Sequence, residues 1–221
     1  MRRLLVLRPE PGASETVERA RQRGLEAIAI PLFKIEPVEW QVPDPACLDG
    51  VLITSANAVG AAGEHLQALR GLKAYAVGEA SAEAIREAGF DVAATGNAGV
   101  EQLLGSIAAD LKLVHLSGEH RRQPREARQK ITSVVVYRAK QSVEVDVSNL
   151  AGAVALIHSP RAGHRFAEII GDRSSIAIVA ISAAAAEAVG AGWESVEAAE
   201  LPTDDALLAL AARLCNKPDP K

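Results

Sequence analysis

Residues 51–58 read VLITSANA and residues 155–162 read ALIHSPRA. Ser55 maps onto Ser159 at a shift of 104 residues. The same shift carries AVGEASAEAI (76–85) onto AISAAAAEAV (180–189), so that Gly78 meets Ser182, and it carries Leu103-Leu104 onto Leu207-Leu208. The remaining parts repeat at a shift close to this: ARQR (20–23) answers ARQK (127–130), and Leu4-Leu5-Val6-Leu7 answers Leu113-Val114-His115-Leu116. An offset held over so much of the chain marks a duplicated domain.

In ITSANAV (53–59) an apolar run ends in the small hydroxyl residues Thr54 and Ser55 and a helical pattern begins. Free backbone N–H groups point outward at such a start, where an oxyanion can bind. Ser and Thr are also ordinary helix caps, so both readings stand for each serine.

The repeat sits in a strand–helix alternation. Apolar runs at 4–7, 27–31, 51–54, 74–77, 113–116, 133–137, 154–157 and 176–181 read as buried strands. Helical patterns lie between them, near 14–23, 57–69, 80–88, 99–109, 123–130, 161–170, 183–190 and 204–214. Gly24, Gly89 and Gly192 sit where helices should stop, and Thr203 with Asp204 and Asp205 gives the last helix a cap and an acidic first turn. The fold class is therefore α/β with parallel sheets.

FKIEPVEWQVPDP (33–45) and YRAKQSVEVDV (137–147) alternate apolar with polar residues, the pattern of an exposed antiparallel ribbon. Both lie midway through a copy, which suggests that the chain crosses twice between two domains. The expected boundaries are 1–34 plus 143–221 for the first domain and 41–135 for the second, with 35–40 and 136–142 as linkers. A hinge of two ribbons would let such domains open and close.

Composition narrows the class. Apolar residues at 48% and charged residues at 24% describe a packed globular protein, and with only 3% aromatics its core must be Val, Ile, Leu and Ala. A net charge of −4 argues against a nucleic-acid partner. Cys47 and Cys215 form no metal motif, and neither a signal peptide nor a spanning apolar run is evident, so no membrane and a cytoplasmic location are expected. The tail, Asn216 to Lys221, reads as frayed.

The motifs, in their order, resemble those of the uroporphyrinogen-III synthase family. Arg8-Pro9, Pro31, ITSANAV, AVGEASA, Val136-Tyr137-Arg138, Ser159-Pro160, AIS and Leu201-Pro202-Thr203 carry the resemblance over nearly the full length. It implies two flavodoxin-like domains joined by a two-stranded ribbon, with the active site in the cleft between. It also implies a reaction: hydroxymethylbilane, a linear tetrapyrrole, loses its hydroxyl and closes with inversion of the last pyrrole ring. The enzyme must hold a flexible polycarboxylate in one fold, protonate a leaving hydroxyl and exclude water.

In the family the tyrosine at this motif has been given the acid role, which makes Tyr137 the catalytic candidate; its other reading is a strand-end residue with a wet hydroxyl. Ser55, Ser81, Ser117, Ser159 and Ser182 fall just past strands, with Gly78 and Gly118 among them. Ligands of open α/β sheets bind at such ends, so these residues are the expected contacts to the substrate's carboxylates. Arg8 and Arg161 adjoin those turns and are the preferred cations; Arg138, Lys140, His164 and Arg165 are further ones. Arg121, Arg122, Arg125 and Arg128 read as a solvated basic face.

The pattern departs at Ala185, where the family often carries Thr. That residue supports the alternative reading, a non-catalytic bilobed tetrapyrrole or anion binder. A periplasmic-type binder is set aside because no signal peptide is seen. Neither nucleotide-binding glycine motifs nor a nucleophile elbow appear, and the five histidines lack metal-ligand spacing, so no cofactor is expected. The expected partner is the small-molecule substrate alone, bound by a monomer, with transient contact with the upstream deaminase.

Overall fold

The computed structural model describes residues 1–97, 99–120, 124 and 126–216. Its chain divides into two compact units, Met1–Lys34 with Gln141–Lys221, and Ile35–Lys140. The first unit opens with β1 (Leu4–Val6), α1 (Gly12–Gln22) and β2 (Ala27–Ala29). The chain passes through β3 (Phe33–Pro37) into β4 (Gly50–Ile53), α2 (Ala56–Ala62), β5 (Lys73–Val77), α3 (Glu79–Glu87) and β6 (Val92–Gly96). Next come α4 (Val100–Ser106), β7 (Lys112–Gly118) and the long β8 (Lys130–Gln141). It returns for β9 (Val154–Ile157), α5 (Pro160–Ile169), β10 (Ala177–Ala180), α6 (Ala183–Ala188), β11 (Ser195–Ala198) and α7 (Asp204–Cys215).

The two sheets share one plan. The first unit runs β11-β10-β9-β1-β2 and the second β6-β5-β4-β7-β8, with β3 beyond β8. All strand pairs of the first order are parallel, as are those from β6 to β8. Strands related by the sequence repeat thus occupy equivalent places: β4 matches β9, β5 matches β10, and β7 matches β1.

The strands form because both faces are covered. Every residue of β1, β9 and β10 is fully buried, as are Val51, Leu52 and Ile53 of β4. In the first unit Leu4, Val6, Val154, Leu156 and Val179 pack against Val17 and Ala20 of α1 and Leu207, Leu208 and Ala211 of α7. In the second, Val51 and Ile53 face Ala58, Val59 and Ile85, while Leu52 faces Leu103 and Leu104. Each Val, Leu or Ile side chain among these contributes roughly 1.5–3 kcal/mol by burial. On the opposite face of the first sheet Gly163 lets α5 approach α6, because a β-carbon there would lie 3.1 Å from the Ala185 carbonyl oxygen and 3.2 Å from Ala188 Cβ.

The ribbon is antiparallel. The Val38 N–H donates to the Val136 carbonyl and the Ser142 N–H to the Leu32 carbonyl, so partner numbers rise along one strand as they fall along the other. Its alternation does not continue as strand over 33–45. Trp40 is buried in the second unit's core, with its indole N–H on the Ala62 carbonyl at 3.0 Å.

Two expected helices need correction. The helix expected over 57–69 ends at Ala62, where Gly63 takes φ +62°, and a 3-10 turn follows to Leu69. No helix forms over 126–129, where Gln129 instead directs its amide to the Leu104 and Ala108 carbonyls. Arg121, Arg122 and Arg125 lie outside the described residues. Two strands, β6 and β11, fall outside the expected apolar runs: they are sheet edges, half exposed, and carry no continuous apolar run.

Candidate functional site

An open parallel sheet binds ligands beyond the carboxyl ends of its strands, at the point where the connections turn outward in opposite directions. In the second unit that point lies between β4 and β7. Thr54 and Ser55 follow β4. Ser55 caps α2, its hydroxyl accepting from the Asn57 N–H at 3.3 Å. The Thr54 hydroxyl is 2.9 Å from Nε2 of His115, a buried residue of β7. Ser117 and Gly118 close β7. The Ser117 hydroxyl is buried and donates to the Val134 carbonyl at 3.3 Å.

A bulge after Ser117 sets Gly118 opposite Tyr137 of β8. The half-buried Tyr137 ring leans on the core beside Val136, and its carbonyl accepts from the Glu119 N–H at 2.9 Å. Gly78 heads α3 at φ +78°, a conformation that favours glycine, and donates its N–H to the Gly96 carbonyl. Ser81 lies one step deeper than the sequence suggests, inside the first turn of α3 and only 4% exposed.

The first unit's switch point lies between β9 and β1. Ser159 caps α5 and Ser182 caps α6, their hydroxyls accepting from the Ala162 and Ala185 N–H groups. These are the partners the repeat demands, Ser55 with Ser159 and Gly78 with Ser182. Arg161, in the first turn of α5, stacks its guanidinium 4.4 Å over the Phe33 ring.

Arg8, just past β1, meets a cluster that sequence reasoning missed. Its Nη1 is 3.6 Å from Oδ1 of Asp204 and 3.4 Å from the Thr16 hydroxyl. Asp204, at the head of α7, also accepts from His158 Nε2 at 2.9 Å, from Thr16 at 2.8 Å and from Arg19. Burial pushes the His158 imidazole below its ordinary 6.5, outweighing the hydrogen bond to Asp204. Burial alone would raise the Asp204 carboxyl, but the His158 and Thr16 hydrogen bonds and the Arg19 charge outweigh it and hold it well below the usual carboxylate range.

The repeat held a signal for this cluster, since His158 and Thr54 are equivalent: each follows its strand and precedes its capping serine. Of the other cations, Arg138 and Lys140 pair with Glu36 across the ribbon, and Arg165 pairs with Glu168. Among the described residues no group of His, Cys, Asp or Glu is placed to hold a metal ion.

Comparison with known proteins bears on the fold and the family. A family model described as uroporphyrinogen-III synthase HemD matches residues 14–209. No curated protein matches the chain significantly. Among solved structures, the uroporphyrinogen-III synthetase of Helicobacter pylori 26695 aligns with a TM-score of 0.66 at 18% identity, over 97% of this chain and 100% of that one. A mutant uroporphyrinogen III synthase from the extremely thermophilic bacterium Thermus thermophilus aligns with a TM-score of 0.54 at 16% identity, over 98% of this chain and 100% of that one. At such identities the two structures speak for the fold, and the family model for membership.

Proposed function

The chain belongs to the uroporphyrinogen-III synthase family, and from that premise we propose how its residues convert hydroxymethylbilane into uroporphyrinogen III. The activity is that of a cyclising lyase of tetrapyrrole biosynthesis, which removes water and inverts the terminal pyrrole ring. Tyr137 gives its phenolic proton to the departing hydroxyl, which leaves as water. The carbon left behind is an electrophilic azafulvene. The last ring attacks it through its substituted α-carbon to form a spiro intermediate, which opens and recloses at that ring's free α-carbon. The proton released on rearomatisation returns to the phenolate, so one water leaves and nothing else is consumed.

The observation that carries this reading is the half-exposed Tyr137 ring lying on Gly118, at the carboxyl end of β7 beside the second unit's switch point. The substrate's carboxylates are received by Arg8, Arg161 and the turns at Ser55, Gly78, Gly118, Ser159 and Ser182. Ser81 and Ser117, whose side chains are buried, act through their own backbone. The units serve as two lobes bounded at 1–34 with 143–221 and at 41–135, with 35–40 and 136–142 as linkers; the division of the chain into compact units supports this.

The protein acts as a cytoplasmic monomer that meets the upstream deaminase transiently. Two free cysteines support the location. Among the described residues no helix is long and apolar enough to cross a membrane, and the exposed large apolar side chains are few: Met1, Val143, Val196 and Leu201. Nothing favours the non-catalytic alternative, because the Ala185 side chain on which it leaned is fully buried.

The test is isomer analysis. Hydroxymethylbilane is generated by its deaminase with and without this protein, and the oxidised products are separated. Type III in excess of the spontaneous type I supports the reading. Type I alone from folded protein overturns it.

A further inference from the structure

The carboxylate of Asp204 gathers more partners than a helix start requires. Thr203 already caps α7 through its hydroxyl, and an acid in the first turn needs only to be near the helix end. Yet the Asp204 side chain is only 10% exposed and binds Thr16 and Arg19 of α1, His158 after β9 and Arg8 after β1. A buried carboxylate is costly unless so paired. One side chain therefore joins the ends of the two strands that flank the first unit's switch point to the two helices that cover them.

We propose that Asp204 is a positioning residue for the ring closure: its carboxylate fixes the Arg8 guanidinium, and the His158 ring beside the Ser159 turn, in the geometry that receives a carboxylate of the substrate. This rests on the reading that Arg8 binds substrate. Arg8 is gripped on two sides. Asp204 and Thr16 hold Nη1, while Gly12 lies against the other edge, where a β-carbon would sit 2.6 Å from Nε and 2.8 Å from Nη2. The side chain stays 30% exposed, so an anion can reach it. Arg8 and Arg19 outnumber Asp204, so the cluster keeps a positive charge despite the carboxylate within it. A long cation held in place beforehand loses little rotamer freedom on binding, and its contact is correspondingly tighter.

Three variants separate position from charge. Asp204→Asn keeps the shape and removes the charge. Gly12→Ala keeps every charge, leaves a good helix former in α1 and pushes the guanidinium aside. Arg8→Met removes the cation. Each is assayed for type III formation from preformed hydroxymethylbilane, with folded protein quantified by circular dichroism. Both Asp204→Asn and Gly12→Ala are expected to raise KM roughly tenfold with kcat within about twofold, as loss of one charge-assisted contact requires. Asp204→Asn should add nothing further in the Arg8→Met background.

A KM at or below that of the wild type in either single variant overturns the proposal, and so does a lowered kcat at unchanged KM, which is what a purely structural role gives. If Arg8→Met itself leaves KM unchanged, the reading of Arg8 as a substrate contact falls first, and the proposal with it. Gly12→Ala carries the test alone if Asp204→Asn does not accumulate as folded protein.

Discussion

The ring of Tyr137 rests on Gly118: a β-carbon on that glycine would sit 2.6 Å from Cζ and 2.9 Å from Oη of the tyrosine. The glycine is needed for space here, since it ends a strand in register with Tyr137. Gly118→Ala must therefore tilt the ring or shift β8, at a cost of about 1–3 kcal/mol in packing. Type III formation is expected to fall about tenfold or more, because a misplaced acid loses much of its effect. A variant with normal turnover would show that the phenol works from a different place.

Removal of the hydroxyl alone isolates the chemistry. Tyr137→Phe keeps the ring against Gly118 and the core, so thermal stability should stay within about 0.5 kcal/mol of the wild type. General-acid assistance is typically worth about 10²–10⁴-fold, and kcat should drop toward that range while KM changes little. Unchanged kinetics would remove Tyr137 from the mechanism.

Much of the fold was readable because parallel strands buried on both faces are continuous apolar runs, as in Val154–Ile157 and Ala177–Ala180. Val92–Gly96 and Ser195–Ala198 are half-exposed edges and gave no such run. The site was readable only in outline. Ser55 and Ser159 announce themselves locally, since capping is a matter of neighbouring residues. The contacts of Thr54 with His115 and of His158 with Asp204 join residues 61 and 46 positions apart, and only the fold brings them together. Periodicity does not encode such pairs, although the internal repeat pointed to Thr54 and His158 as one equivalent position.

His158 predicts how stability depends on acidity. Its folded pKa lies below the ordinary 6.5, chiefly through burial, with the Arg8 charge adding to the effect. The folded state thus binds fewer protons than the unfolded one, so this group's contribution is complete above pH 6.5 and is lost as pH falls through the lowered folded value. Asp204, also depressed, gives way only at more acidic pH. Wild-type protein should lose thermal stability between about pH 7 and pH 5, and His158→Gln should flatten that slope. Parallel melting curves for both proteins in this window would contradict the assignment.

Ser159 allows capping to be separated from binding. Ser159→Ala removes the acceptor for the Ala162 N–H and should cost about 1 kcal/mol of stability, with KM changed less than about twofold. Ser159→Asp restores the cap but sets a negative charge at the turn. It should melt like the wild type yet raise KM several-fold by repelling a carboxylate. Equal KM values in the two variants, measured by type III formation, would mean that this turn caps a helix and receives no anion.

Ala185 and Ser81 are equivalent under the repeat, and both lie on the inner side of a first helical turn, 0% and 4% exposed. A side chain at 185 therefore points into the packing of α6, whose Ala185 carbonyl already lies 3.1 Å from where a β-carbon on Gly163 would be. Ala185→Thr adds a methyl and a hydroxyl to this contact. The expected result is a loss of about 1–3 kcal/mol in stability from overpacking, with type III formation per folded molecule unchanged. If Ala185→Thr instead raised kcat/KM, the hydroxyl would have to reach the substrate, and the helix would have to turn outward to let it.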